Sequence, residues 1–141
     1  MRKLKGILLI DDNETSNFLN HRLLNRMEVT ENIRVFTNGQ NALEYLQKIE
    51  KGDFNPADPN YFKPELIFLD VNMPILDGFE FLQNYHDLAD NVKQNTVIAM
   101  LSTSSHPQDT VRANEYAAPY ILKPLTVEKV KHLLTENFTN L

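Results

Sequence analysis

Four apolar residues in a row, Leu66-Ile67-Phe68-Leu69, are closed by a single carboxylate, Asp70. The run is too short for a buried helix and has no polar alternation. It reads as an inner strand of a parallel sheet, covered on both faces. A carboxylate at the end of such a strand lies at the mouth of the sheet, where open α/β folds gather ligands. Met73-Pro74 stops the strand, because Pro74 lacks an N–H and holds Met73 extended. Asp77-Gly78 then marks a turn, with Asp77 placed to cap the next helix.

The same pattern recurs along the chain. Gly6-Ile7-Leu8-Leu9-Ile10 is a second buried run, and it ends in Asp11 and Asp12. From Asn13 to Met27 the period becomes helical, with Phe18, Leu19, Leu23 and Met27 expected inward and Asp12 or Asn13 as cap. Asn32 to Phe36 alternates as a strand, and Ala42, Leu43, Leu46 and Ile49 form a helical stripe ending near Gly52. Residues 52–64 hold three prolines, one glycine and two aspartates without period, which predicts a long exposed loop. Phe79, Leu82, Tyr85 and Leu88 form a third helical stripe, and Thr96 to Leu101 is a strand running into Ser102. A weaker helix spans Pro107 to Ala117, with Val111 and Tyr116 as its large apolar residues. Pro119 to Leu122 is a short strand entering Lys123-Pro124. Thr126 caps a last helix with Val127, Val130, Leu133 and Leu134 inward, and a fraying tail is expected over Asn137 to Leu141. Strand and helix alternate five times, which calls for an α/β domain: a parallel sheet with right-handed crossovers and helices on both faces.

At 141 residues the chain suits one domain, and no repeat or linker divides it. The net charge of −5 offers no basic footprint for nucleic acid. There is no cysteine, hence no disulfide framework and no thiolate ligand or nucleophile. No stretch reaches transmembrane length, and the apolar run after Met1 meets Asp11 too soon for a signal peptide, so a cytoplasmic protein without membrane contact is expected.

In a parallel sheet all carboxyl ends share one edge. Asp11, Asp12, Asp70, Ser102 and Lys123 therefore converge on one pocket. Three carboxylates there repel one another and require a cation; a hard, oxygen-seeking ion such as Mg²⁺ fits. Three aspartates carry −3, and Mg²⁺ with Lys123 returns +3. Such a pocket can receive a phosphoryl group, with one carboxylate as nucleophile and the metal and ammonium stabilising the transferred oxygens.

Taken together, Leu9-Ile10-Asp11-Asp12, Phe68-Leu69-Asp70-Val71-Asn72-Met73-Pro74 with Asp77-Gly78, Leu101-Ser102, and Tyr120-Ile121-Leu122-Lys123-Pro124 resemble the receiver domain of two-component response regulators. The resemblance implies a flavodoxin-like doubly wound five-stranded sheet of order 2-1-3-4-5, the order that chemotaxis regulators of this kind share with flavodoxin. It implies that Asp70 is the phosphoacceptor, and that Asp11, Asp12, Asp70 and the backbone carbonyl of Asn72 hold Mg²⁺. It further implies that Ser102 turns toward the phosphoryl group, that Lys123 pairs with it, and that Tyr120 is the aromatic switch. The peptide before Pro124 would be cis, and the Asn72 and Ser104 side chains would tune the acyl-phosphate lifetime. The implied protein is a single-domain response regulator spanning 1–141, with a core of about 5–137 and no output domain. It is no enzyme beyond catalysing its own Asp phosphorylation and dephosphorylation. Its implied partners are a sensor histidine kinase or histidine phosphotransfer protein upstream. Downstream, a protein target would meet the face of the fourth and fifth helices and last strand, with the chain a monomer or a phosphorylation-dependent dimer.

Three features depart from the usual pattern. Ser102 replaces threonine, the link between Tyr116 and Tyr120 is one residue short and lacks glycine, and the 52–64 loop is long. The alternative is a pseudo-receiver, a protein-binding module without phosphotransfer, but neither the aspartates nor the lysine is lost. An aspartyl phosphatase would need a second acid where Asn72 stands. Dinucleotide binding lacks any Gly-x-Gly-x-x-Gly. His21, His86, His106 and His132 have no metal-ligand spacing and read as surface residues, and Asp53 and Asp58 as solubilising ones.

Overall fold

A computed structural model describes residues 3–138. Its elements run β1 (Ile7–Ile10), α1 (Glu14–Met27), β2 (Ile33–Phe36), α2 (Gly39–Lys51), β3 (Leu66–Asp70), α3 (Gly78–His86), α4 (Asp90–Lys93), β4 (Val97–Ser102), α5 (Pro107–Glu115), β5 (Tyr120–Leu122) and α6 (Val127–Asn137). All pairings are parallel and the strand order is β2-β1-β3-β4-β5. This is the flavodoxin-like order expected from the resemblance.

The unbroken apolar runs are explained by the two cores. Leu8, Ile10, Ile67, Leu69, Ile98 and Met100 face one layer with α2 and α3, while Ile7, Leu9, Leu66, Phe68, Ala99 and Leu101 face the other with α6 and Leu24 of α1. Each inner strand thus alternates between two apolar layers, so every position stays apolar. Helix starts follow their caps: the side chains of Asn13, Asn38, Asp77 and Thr126 accept backbone N–H groups of the first turns. Asp77 and Glu80 complete a reciprocal capping box.

Several expectations need correction. In α1 the buried residues are Asn17 and Leu24, whereas Phe18 is 66% and Leu19 53% exposed. The inward line passes through Asn17 because its side-chain amide donates to the Asp11 carbonyl at 2.7 Å. That bond turns Phe18 and Leu19 outward, and Leu23 and Met27 are only half-buried. Val111 is exposed, and α5 buries Ala113 instead. The single turn α4 has no counterpart in the sequence pattern, since four residues carry no readable period; Glu50 of α2 accepts from Ala89 N–H at its start. Fully buried Phe81 joins the third helical stripe. Of the histidines, His21 is half-buried and bonded to Asn25 (3.0 Å). The tail beyond Phe138 lies outside the described residues.

The 52–64 loop is exposed only in part. The Tyr45 hydroxyl accepts from the Phe62 N–H (2.8 Å) and donates to the Phe62 carbonyl (2.7 Å). Tyr61 stacks between Tyr45 (5.3 Å) and Phe54 (5.7 Å), and the Arg34 guanidinium lies 4.8 Å from the Tyr45 ring centre. The Phe62 ring fills the space that any side chain at Gly6 would occupy. Aromatic residues inside an aperiodic, proline-rich stretch were the signal that it packs.

The short link after α5 is absorbed by its backbone. Ala118 N–H donates to the Ala113 carbonyl (3.0 Å) and Ala117 N–H to Asn114 (3.0 Å), the paired bonds of a Schellman cap. Ala117 occupies the left-handed position of that cap (φ 55°), where glycine is usual. Ala117→Gly is therefore expected to raise the unfolding free energy by roughly 0.5–1 kcal/mol, the relief of left-handed strain less the gain in unfolded-chain freedom. A higher urea midpoint at unchanged slope checks this; a lower one would mean that the Ala117 methyl contributes more by packing than its conformation costs.

Candidate functional site

Strand register brings the predicted residues to one edge. Ile10 pairs with Leu69, Asp70 with Leu101, and Ser102 with Leu122, so Asp11, Asp70, Ser102 and Lys123 emerge side by side. The backbone closes tightly below Asp70. Val71 N–H donates to the Leu101 carbonyl (3.0 Å), and Gly78 N–H to the Val71 carbonyl (2.9 Å). A Cβ on Gly78 would lie 2.7 Å from the Asp70 carbonyl oxygen, so only glycine lets α3 begin this close to the strand end.

Lys123 is the centre of the charges. Its Nζ lies 2.9 Å from Asp11 Oδ2 and 3.0 Å from Asp70 Oδ1. Asp11 and Asp70 are almost wholly buried (3% and 5% exposed), while Asp12 is exposed at the rim. One carboxylate oxygen from each of the three aspartates lies within 4.8 Å of the others. Asp11 Oδ1 also accepts Asn13 N–H (2.9 Å), which ties the carboxylate to the start of α1.

Burial pushes the Asp70 carboxyl above its ordinary value; the Lys123 bond pulls it back, and the charges of Asp11 and Asp12 push it up again. For Lys123 burial is the largest single influence and acts downward. Its bonds to Asp11 and Asp70 and their charges together outweigh it, so the ammonium is held above its usual range and stays protonated.

The remaining predicted residues form a hydrogen-bonded chain beside this triad. Lys123 N–H donates to the Ser102 carbonyl (2.8 Å), and the fully buried Ser102 Oγ accepts Ser104 N–H (3.0 Å). The Tyr120 hydroxyl donates to the Ser104 carbonyl at 2.6 Å. Asn72 stands exposed two residues beyond Asp70, and no hydrogen bond joins its side chain to the carboxylates among the described residues. The Lys123–Pro124 peptide is cis. Sequence reasoning missed two supporting residues. Asn17 was legible as a polar residue among the apolar ones of α1. Lys129, whose Nζ binds the Leu122 (2.7 Å) and Pro124 (3.0 Å) carbonyls on either side of Lys123, left no signal.

The donor set suits a divalent cation. Three carboxylates against one ammonium leave −2, all ligand atoms are hard oxygens, and one side is open at Asp12.

Comparison with known proteins accords with this geometry. The response regulator receiver domain matches residues 7–135, and the chain belongs to that family. It is 30% identical over 131 residues to the probable methanogenesis regulatory protein FilR2 of Methanothrix harundinacea, covering 92% of this chain and 79% of that protein. It is 27% identical over 128 residues to the two-component response regulator ARR10 of Arabidopsis thaliana, covering 90% of this chain but 20% of the relative. Its fold is similar to the crystal structure of a two component response regulator from Cytophaga hutchinsonii, with TM-score 0.81, 28% identity, and coverage of 96% of this chain and 97% of that one. No helix among the described residues is long and apolar enough to cross a membrane.

Asp70→Asn is expected to stabilise the metal-free protein by about 1 kcal/mol at neutral pH, because a buried carboxylate leaves the cluster while Lys123 keeps Asp11 as partner. The sign with pH follows from the raised Asp70 carboxyl: the folded state favours its neutral form. The wild-type penalty is thus present at neutral pH and fades as pH falls through the raised carboxyl range. Urea titrations of both proteins in EDTA at several pH values check this. A variant less stable than wild type at neutral pH would contradict it.

Proposed function

We propose that this receiver is a phosphorylation-controlled signalling domain whose phosphoacceptor is Asp70. The observation that carries the reading is the Lys123 ammonium bridging buried Asp11 and Asp70 beside Asp12. In the transfer step an Asp70 carboxylate oxygen attacks phosphorus as the P–N bond of a donor phosphohistidine breaks. The bonding pair returns to the imidazole nitrogen, leaving an acyl phosphate on Asp70 and a free histidine on the donor. Asp11, Asp12, Asp70 and the Asn72 carbonyl would hold Mg²⁺, which when bound neutralises charge on the phosphoryl oxygens. Lys123, already 3.0 Å from Asp70, shifts its hydrogen bond toward the incoming phosphoryl group.

The output follows from Ser102. Its Oγ accepts Ser104 N–H, so the hydroxyl proton is free to be donated to a phosphoryl oxygen. A turn of Ser102 changes the support of Ser104, whose carbonyl holds the Tyr120 hydroxyl. Residues 103–106 lead into α5, which buries only Ala113 and otherwise rests on Arg112 stacked 4.0 Å over the Phe79 ring and on the Tyr116–His86 contact (6.1 Å). A helix this lightly held can shift between two positions, and phosphorylation would change their populations. With the short α4 counted, the fourth and fifth helices expected from the sequence are α5 and α6. The α5–β5–α6 face is the proposed contact for a downstream protein, and a histidine kinase or phosphotransfer protein is the proposed upstream partner.

The test is intact mass after incubation with Mg²⁺ and acetyl phosphate, with and without EDTA. The expected result is one added phosphoryl group that requires metal, is labile to hydroxylamine and is absent in Asp70→Asn. A protein that gains nothing, or an Asp70→Asn variant that is still labelled, overturns the assignment.

A further inference from the structure

Ile75 carries two unfavourable features at once. It is 92% exposed, and its backbone is left-handed with φ 72°. It sits between Pro74 and Leu76, and the Leu76 N–H donates to the Pro74 carbonyl at 2.8 Å. That i to i+2 bond around a positive φ defines the rare, strained form of the γ-turn. The other left-handed non-glycine residues among the described ones are Glu28, Asn95 and Ala117, none of them β-branched. Isoleucine suits this region least, because its branched Cβ crowds the backbone.

The turn itself is imposed by its surroundings. Met73 is anchored in the core at 7% exposure, and Leu76 packs half-buried against the same core beside Gly39. Gly78 is tied back to Val71, and Asp77 is fixed as the cap of α3. The chain must reverse between Met73 and Leu76, and the residue at the apex faces solvent. Glycine or asparagine would adopt this backbone readily. What isoleucine supplies instead is an apolar knob five residues beyond Asp70, on the loop that continues directly from the acidic site. Strain retained beside a site points from the outlier to a use for the side chain.

We propose that Ile75 is a docking contact for the phosphodonor: its side chain packs on the apolar surface surrounding the phosphohistidine of the protein that phosphorylates Asp70. This rests on the phosphoacceptor reading of Asp70. Position selects the occupant. Asp70 is recessed, with 5% exposure, so a donor must bring its imidazole down among the loops at the mouth and cover the loop of residues 71–77 as it does so. A target bound on the α5–β5–α6 face has no such need.

The experiment compares wild type, Ile75→Asn and Ile75→Ala with two donors. One is acetyl phosphate with Mg²⁺. The other is an autophosphorylated histidine kinase, chosen by profiling purified kinases of the source organism for the fastest transfer to wild type. Expected rates with acetyl phosphate agree within about twofold, while transfer from the kinase slows about tenfold or more in both variants, the loss of one apolar anchor. Ile75→Asn also shows a higher urea midpoint than Ile75→Ala, since only asparagine relieves the turn. Kinase transfer unchanged in both variants overturns the proposal, as does an equal slowing with both donors or a wild type that no kinase phosphorylates. A wild type inert to acetyl phosphate instead defeats the phosphoacceptor reading itself.

Discussion

The rest of the structure is arranged around one ammonium group shared by two buried carboxylates. Lys123 Nζ stands 2.9 Å from Asp11 and 3.0 Å from Asp70, with Asp12 completing the cluster. Two like charges about 4 Å apart repel by about 4 kcal/mol at an effective dielectric of 20, so three carboxylates with one cation remain poorly compensated. Such an arrangement persists only on a scaffold that leaves the side chains nowhere to relax. The scaffold is the inner pair of strands β1 and β3, covered by apolar layers on both faces, with β5 delivering the ammonium from two strands away. A divalent cation or a phosphoryl group bound there would change the local charge balance sharply.

That local change has a short route outward. Ser102 shares its carbonyl with the Lys123 backbone and its hydroxyl with the Ser104 N–H, and Tyr120 holds the Ser104 carbonyl. Charge, hydroxyl and aromatic ring are thus linked through three consecutive hydrogen bonds. The element at the far end, α5, is the least buried of the longer helices facing its layer. Its stacking of Arg112 on Phe79 tolerates sliding better than an interlocked apolar seam would. A tightly constrained site connected to a lightly held helix is the mechanical condition for a switch.

Much of this was legible in the residues because the fold and the site share one signal. An apolar run ending in a polar residue announces both an inner strand and a group at the sheet edge, so the residues alone place Asp11, Asp70, Ser102 and Lys123 together. Helix faces were less legible. In α1 the hydrophobic pattern alone pointed Phe18 and Leu19 inward, but a single hydrogen bond from Asn17 to the Asp11 carbonyl sets the rotation. Polar satisfaction at the buried strand end outweighed apolar burial on the helix, a competition no periodicity reveals. In α5 the small Ala113 is the buried residue and the larger Val111 is 58% exposed, so side-chain size alone did not mark the inward face. The loop of residues 52–64 misleads for the opposite reason: its prolines obscure the stacking of Phe54 on Tyr61 and of Tyr61 on Tyr45, and the Phe62 ring set edge-on to Tyr45 and against Gly6.

The short connection before β5 shows how Tyr120 keeps its place. With only Ala117-Ala118-Pro119 between Tyr116 and Tyr120, an extended exit from α5 would shift the register of β5 by one residue and turn the Tyr120 ring to the other face. The chain instead reverses sharply at left-handed Ala117, closes the helix with two cap bonds, and lets the Pro119 carbonyl accept Met100 N–H at 2.8 Å. Tyr120 then pairs with Met100 and reaches Ser104. An unfavourable conformation at one alanine thus preserves the side of the sheet on which the tyrosine lies. Because the same register carries Leu122 to Ser102, it also fixes where the next residue, Lys123, enters the acidic site.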